Sequence, residues 1–99
     1  MSNAAVFAKI SVGLEEVQEH FKDEFLLRVT ERTPRKSGAL QKGWKGEIVP
    51  DAIEVGNEVH YAPHIEYGTI HIAPFAMLRT TVEESDLILA IAMERAGLK

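Results

Sequence analysis

The stretch Trp44-Lys45-Gly46-Glu47-Ile48-Val49-Pro50-Asp51-Ala52-Ile53-Glu54-Val55 decides the fold. Trp44, Gly46 and Ile48 alternate with Lys45, Glu47 and Val49, the period of two that belongs to an extended strand. Pro50-Asp51 makes a turn, and Ile53 and Val55 then alternate about Glu54. Gly56-Asn57 makes another turn, after which Val59 and Tyr61 alternate about His60. Pro63 interrupts this pattern, so a strand around Ile65 to Tyr67 stands at an edge or starts afresh. Gly68-Thr69 turns the chain again, and Ile70 and Ile72 suit one more short extended stretch. Together these segments predict an antiparallel meander of about four short strands.

The period changes on both sides. Upstream, Leu14, Val17, Phe21, Phe25 and Val29 recur in steps of three and four, which predicts a helix from about Val12 to Arg32. Ser11 suits its N-cap. Glu15 and Glu16 complement the positive end of its dipole, and Arg28 and Arg32 the negative end. Pro34 stops it, because the residue before a proline resists the α conformation. Such a rod, roughly 30 Å long at 1.5 Å per residue, is long for a small domain, so the surface around Leu26 and Leu27 is expected to face a neighbouring subunit. Lys36-Ser37-Gly38 carries a turn signal, and Ala39, Leu40 and Gln41 suit a single helical turn.

Downstream, Pro74 suits the first position of a second helix. From Phe75 to about Ala96, apolar residues at Met77, Leu78, Val82, Ile88, Leu89 and Ile91 give it a wide apolar face, and Gly97 ends it. The expected class is α+β: a long N-terminal helix, an antiparallel meander of about four short strands and a C-terminal helix, both helices packed on one face of the sheet. Phe21, Phe25, Trp44, Ile48, Val55, Leu78 and Val82 are the expected core.

Composition bounds the function. The 99 residues are 45% hydrophobic and 26% charged, as in an ordinary globular domain. The longest apolar run, Leu87 to Met93, is far short of a membrane span. Cysteine is absent, which excludes disulfides, thiolate metal sites and thiol catalysis. Residues 1–4 read as an expression-tag remnant and 5–99 as a single domain. There is no basic start followed by an apolar stretch, so synthesis in a cytoplasm is expected.

The net charge of −4 hides a division. Residues 1–27 carry −3, residues 28–45 carry +5 and residues 46–99 carry −6. The basic segment holds Arg28, Arg32, Arg35, Lys36, Lys42 and Lys45 against Glu31 alone. Two uses suit it: pairing with acidic groups of its own chain, or contact with an acidic partner or nucleic-acid phosphates. No interleaved aromatics or recognition helix accompany it, which argues against sequence-specific reading of nucleic acid.

Chemistry-bearing residues are sparse. His60 and His64 share parity, with Glu66 and His71 nearby, but Pro63 breaks the alternation that would aim them together as metal ligands. Ser11, Ser37 and Ser85 sit where caps and turns use serine. No glycine-rich phosphate loop joins a strand to a helix. Glu66 is the one carboxylate placed for partial burial near a turn, and a single carboxylate does not make an acid–base pair. No catalytic residue, metal or cofactor is expected, and the chain is not expected to be an enzyme.

Three ordered fragments carry a resemblance: Thr33-Pro34-Arg35-Lys36-Ser37-Gly38-Ala39-Leu40-Gln41-Lys42-Gly43-Trp44, then Val59-His60-Tyr61-Ala62-Pro63-His64-Ile65-Glu66-Tyr67-Gly68-Thr69, then Ala73-Pro74-Phe75-Ala76-Met77-Leu78-Arg79. The chain resembles the tail-component family of long-tailed bacteriophages, whose members complete the tail or join it to the head. The matching positions are Ser37, Gly38 and Leu40, then Tyr61, Ala62, Glu66, Gly68 and Thr69, then Pro74 and Phe75. The middle fragment is the most specific. Family members often run longer, and the stretch between Thr69 and Pro74 is short here.

The resemblance implies a virion protein made in the bacterial host cytoplasm. Its partners would be its own copies in a ring, the tail-tube and head-connector proteins, and non-specifically DNA in the lumen, with no membrane. Gly38 and Gly68 would supply turns, and Glu66 would accept backbone amides and order the loop before Gly68-Thr69. Arg28, Arg32, Arg35, Lys36, Lys42 and Lys45 become candidate contacts with DNA or a neighbouring subunit. The alternative is a small non-specific nucleic-acid-binding module using the 28–45 segment.

Overall fold

In a computed structural model, which describes residues 4–35, 38–71 and 73–98, the chain forms three strands and five helices. These are β1 (Val6–Ser11), α1 (Glu15–Arg32), α2 (Gly38–Lys42), β2 (Trp44–Val49), β3 (Ala52–Asn57), α3 (Ala62–Tyr67), α4 (Met77–Glu83) and α5 (Ser85–Arg95). The class is α+β, with an antiparallel sheet of order β1-β3-β2 packed against helices.

The hairpin forms where alternation places it. β2 pairs with β3 from Trp44↔Asn57 to Val49↔Ala52, so Pro50 and Asp51 are its two-residue loop. Asp51 takes φ +60°, a conformation its short polar side chain tolerates. Ile53 and Val55, on the central strand, are fully buried. Ile48 is not: it lies on the free β2 edge and is 43% exposed, so it leaves the expected core.

The remaining strands differ from expectation. The third is β1, ahead of the first helix, with Val6, Ala8 and Ile10 turned inward. Ser11 ends this strand and caps no helix; α1 starts at Glu15 with Leu14 at its N-cap. Gln18 Nε2 instead donates to the Val12 carbonyl at 2.7 Å, fastening the link. Gly56-Asn57 is not a turn, because β3 runs through both. Val59–Tyr61 is not a strand either. The Val59 amide donates to Asn57 Oδ1 at 3.0 Å and the Ala62 amide to the Val59 carbonyl at 2.9 Å, which coils the chain. Pro63 then falls in the first turn of α3, where a proline lacks no needed amide, so residues 65–67 are helical rather than extended.

On α1 the stripe Val17, Phe21, Phe25 and Val29 is buried, with the two phenyl rings stacked at 6.2 Å between centroids. Full burial of one such ring contributes about 1.5–3 kcal/mol. α1 lies over β2 and β3 and α4 over β1, but α5 packs along α1 rather than on the sheet. The expected single C-terminal helix is thus two, divided at Glu84. Val82 is only partly buried, while Leu78 and Trp44 complete the core with the residues above. Gly97, at φ +79°, closes α5: its amide reaches Glu94 and that of Leu98 reaches Met93. The molecule measures 45 × 24 × 20 Å. No helix among the described residues is long and apolar enough to cross a membrane.

Candidate functional site

Two fully buried polar side chains join the three sequence motifs. A buried polar group is costly unless bonded, and both are fully engaged. Asn57, which faces inward at the end of β3, donates through Nδ2 to the Leu40 carbonyl at 2.8 Å. Its Oδ1 accepts the Val59 amide at 3.0 Å. It therefore ties the first motif, through Leu40, to the start of the second. Gly43 packs against this bridge so closely that a Cβ there would stand 2.6 Å from Asn57 Oδ1.

Glu66 makes the second bridge. Its Oε1 accepts the Leu78 amide at 2.7 Å and its Oε2 the Arg79 amide at 2.9 Å. Arg79 Nε also donates to Oε2 at 3.1 Å, and its Nη2 to the Glu66 carbonyl at 2.7 Å. The amides of Phe75 and Ala76 donate to the carbonyls of Ile65 and Glu66. The carboxylate thus holds the first turn of α4, not the loop immediately after α3, and joins the second motif to the third. Arg79 completes the clamp by stacking its guanidinium 4.9 Å from the Tyr67 ring centre.

Between these anchors the chain turns at Gly68, whose φ of +79° and ψ of 178° are open essentially to glycine alone. Thr69 Oγ1 accepts the His71 amide. Ile70 is 95% exposed, and Tyr67 and Phe75 are more than half exposed. The described part of this loop therefore presents apolar side chains from a firmly anchored base. Pro74 and Phe75 precede α4 rather than open it. Ala76 adopts the left-handed conformation, φ +49° and ψ +39°, and the helix begins only at Met77.

The first motif is placed differently. Gly38 opens α2 and is exposed, with no left-handed conformation and open space where a side chain would stand. The turn expected of it at Lys36-Ser37 lies outside the described residues. Leu40 is fully buried. Tyr61 is half-buried just before α3, and Ala62 is fully buried within it. Thr33, at the end of α1, accepts the Trp44 indole N–H at 2.8 Å on its Oγ1 and donates to the Val29 carbonyl.

The basic segment divides in two. Arg28 donates to Glu24 at 2.7 Å and to Glu84 at 3.2 Å, and Arg32 pairs with Glu84 at 2.7 Å while donating to Thr81 Oγ1. Arg95 closes the network on Glu24 at 2.9 Å. The hydrogen bond that Arg28 donates to Glu24 holds its guanidinium above its ordinary pKa, with Glu84 adding to it against desolvation. The hydrogen bond from Arg32 draws the Glu84 carboxyl below the usual carboxylate range. Arg28 and Arg32 are therefore pairing with their own chain and gripping the α4–α5 break. Arg35, Lys42 and Lys45 are exposed and form no ion pair among the described residues, and Lys36 lies outside them.

The histidine reading finds no assembled site. His60, His64 and His71 are exposed, Glu66 is committed to α4, and no group of three metal-ligating side chains converges among the described residues. Open depressions mark the surface. One of about 480 Å³ lies along β2 and β3 at Lys45, Glu47 and Gly56. Another of about 350 Å³ lies along β1 at Phe7, Ala8, Tyr67, Leu78 and Val82.

Sequence reasoning passed over Asn57 by reading it as a turn residue. The available signal was its parity with the inward Ile53 and Val55, which makes it a polar side chain aimed at the core. No protein-family model matches the chain, and no curated protein or solved structure matches it.

Proposed function

We propose that this chain is a structural protein of a long-tailed bacteriophage virion, completing the tail or joining it to the head, with copies assembling as a ring at the tail–connector junction. The observation that carries the proposal is the joining of all three motifs, in order, by Asn57 and Glu66. Residues that carry the family resemblance are thereby the residues that hold one apolar loop out from the body. An Ile, a Tyr and a Phe exposed together favour a surface that is covered in an assembly. The exposed cations Arg35, Lys42 and Lys45, which form no ion pair among the described residues, suit contact with an acidic neighbour or with DNA in the channel.

Co-sedimentation with assembled phage tail tubes and with connector rings tests this. Binding to either, lost on Ile70→Asp, is expected. A chain that binds neither and stays monomeric throughout would overturn it. The same three exposed cations favour the second reading, a non-specific nucleic-acid-binding module. It requires DNA affinity that falls steeply with salt, and absence of binding at low salt removes it.

A further inference from the structure

We infer that copies of this chain join edge to edge, the β2 strand of one pairing in parallel with the β1 strand of the next, so that the three-stranded sheets run on continuously. Both strands are edges: β3 lies between them, and among the described residues neither has a partner on its other side. Unpaired edge backbone is a template for strand addition unless it is blocked. Neither edge carries proline or a bulge. A groove of about 350 Å³ runs along β1 at Phe7 and Ala8, walled on its other side by Tyr67 of α3 and by Leu78, Arg79, Val82 and Glu83 of α4, so an added strand would enter between β1 and these side chains.

Charge and shape complementarity name the occupant. Across the outward face runs the row Lys9, Glu54, Glu47. Glu54 has a cation on one side and a like charge on the other, an arrangement that costs stability at the β2 edge. A second copy placed with Glu47 beside its Lys9 makes the row alternate in sign across the junction. The same register meets three further conditions. It sets Ile48, 43% exposed, beside Ile10 on the inward face. It sets the stem of Lys45 beside the half-exposed Phe7 ring. It also sets Gly46 beside Ala8, where neither side chain obstructs the approach. β1 and β2 are each antiparallel to β3 and hence parallel to each other, so the junction repeats without reversal. Such a contact uses two different surfaces and propagates head to tail, as a closed ring requires. The inference deepens the ring reading above and rests on it for the choice of a second copy as partner.

The absence of cysteine in the sequence gives a direct test. Lys9→Cys protein is mixed with Glu47→Cys protein and oxidised mildly at high concentration. Each variant carries one cysteine alone, so a link forms only between copies. A cross-linked dimer in the mixture, absent from either protein alone, is expected. Sedimentation of cysteine-free variants supplies the second arm. Glu47→Lys weakens self-association about fivefold and adding Lys9→Glu restores it. No cross-link in the mixture, or equal cross-linking of one variant with itself, overturns the edge pairing. Oligomers that form unlinked overturn the edge pairing and leave the ring reading standing. Cross-linking by a chain that binds neither tail tubes nor connectors upholds the edge pairing independently of the tail assignment.

Discussion

Glu66 and Arg79 hold each other three times: the Glu66 carboxylate accepts the Arg79 backbone amide at 2.9 Å and Arg79 Nε at 3.1 Å, and Arg79 Nη2 donates to the Glu66 carbonyl at 2.7 Å. Because the carboxylate is fully buried, removing it strands the Leu78 and Arg79 amides at the start of α4. Glu66→Ala should lower unfolding free energy by about 3 kcal/mol, measured by urea denaturation. Glu66→Gln should cost less, since one oxygen remains to accept an amide. Equal stability of Glu66→Ala and the native chain would refute the clamp.

Ala76 is held at φ +49° directly before α4. A Cβ makes that conformation costly by roughly 1–2 kcal/mol, partly offset by the unfolded-state freedom of glycine. Ala76→Gly should therefore raise the urea midpoint with an unchanged slope, a gain of about 0.5–1 kcal/mol. A loss of stability would contradict the strain.

Two glycines of the first motif should part company. At Gly43 a Cβ would collide with Asn57 Oδ1, so Gly43→Ala should cost about 1–3 kcal/mol by displacing the Asn57 bridge. A Cβ at Gly38 would meet nothing within 4 Å among the described residues, so Gly38→Ala should leave the midpoint unchanged or raised. If Gly38→Ala folds normally yet fails to assemble, its role is at a contact and not in the fold.

The ion pairs at Glu84 set an acid dependence. Arg32 lowers the pKa of Glu84 in the folded chain below its unfolded value. The associated stability is present above the unfolded value and is lost as pH falls through the lowered folded one. Glu84→Gln lacks this contribution, so its stability should fall less than that of the native chain on acidification below about pH 5. The gap at neutral pH should also narrow with added salt, since these pairs are partly exposed. Parallel acid profiles would show that Arg28 and Arg32 do not depend on Glu84.

Legibility in the sequence followed how local each cause was. Helix α1 and the hairpin at Pro50-Asp51 were legible because periodicity and turn chemistry act within a few residues. Strand β1 was not. Its inward Val6, Ala8 and Ile10 alternate properly, but Phe7 puts an aromatic on the polar face and blurs the contrast. Pro63 carried either of two meanings, strand breaker or first-turn helix residue, and the decision came from Asn57, whose Oδ1 turns the chain at Val59. The break at Glu84 has no proline or glycine to announce it; Glu84 leaves the helix repeat to meet Arg28 and Arg32 from a segment more than 50 residues earlier. For the same reason composition did not separate the cations already paired from the exposed Arg35, Lys42 and Lys45. Glu66 was legible as a carboxylate that accepts amides, but its partners twelve and thirteen residues onward were set by tertiary packing.

Native mass spectrometry of the chain at rising concentration, alone and with phage connector and tail-tube proteins, tests the central proposal most directly. The expected result is one discrete closed oligomer, formed alone or on one of those partners. A monomer at every concentration that attaches to neither partner would contradict it.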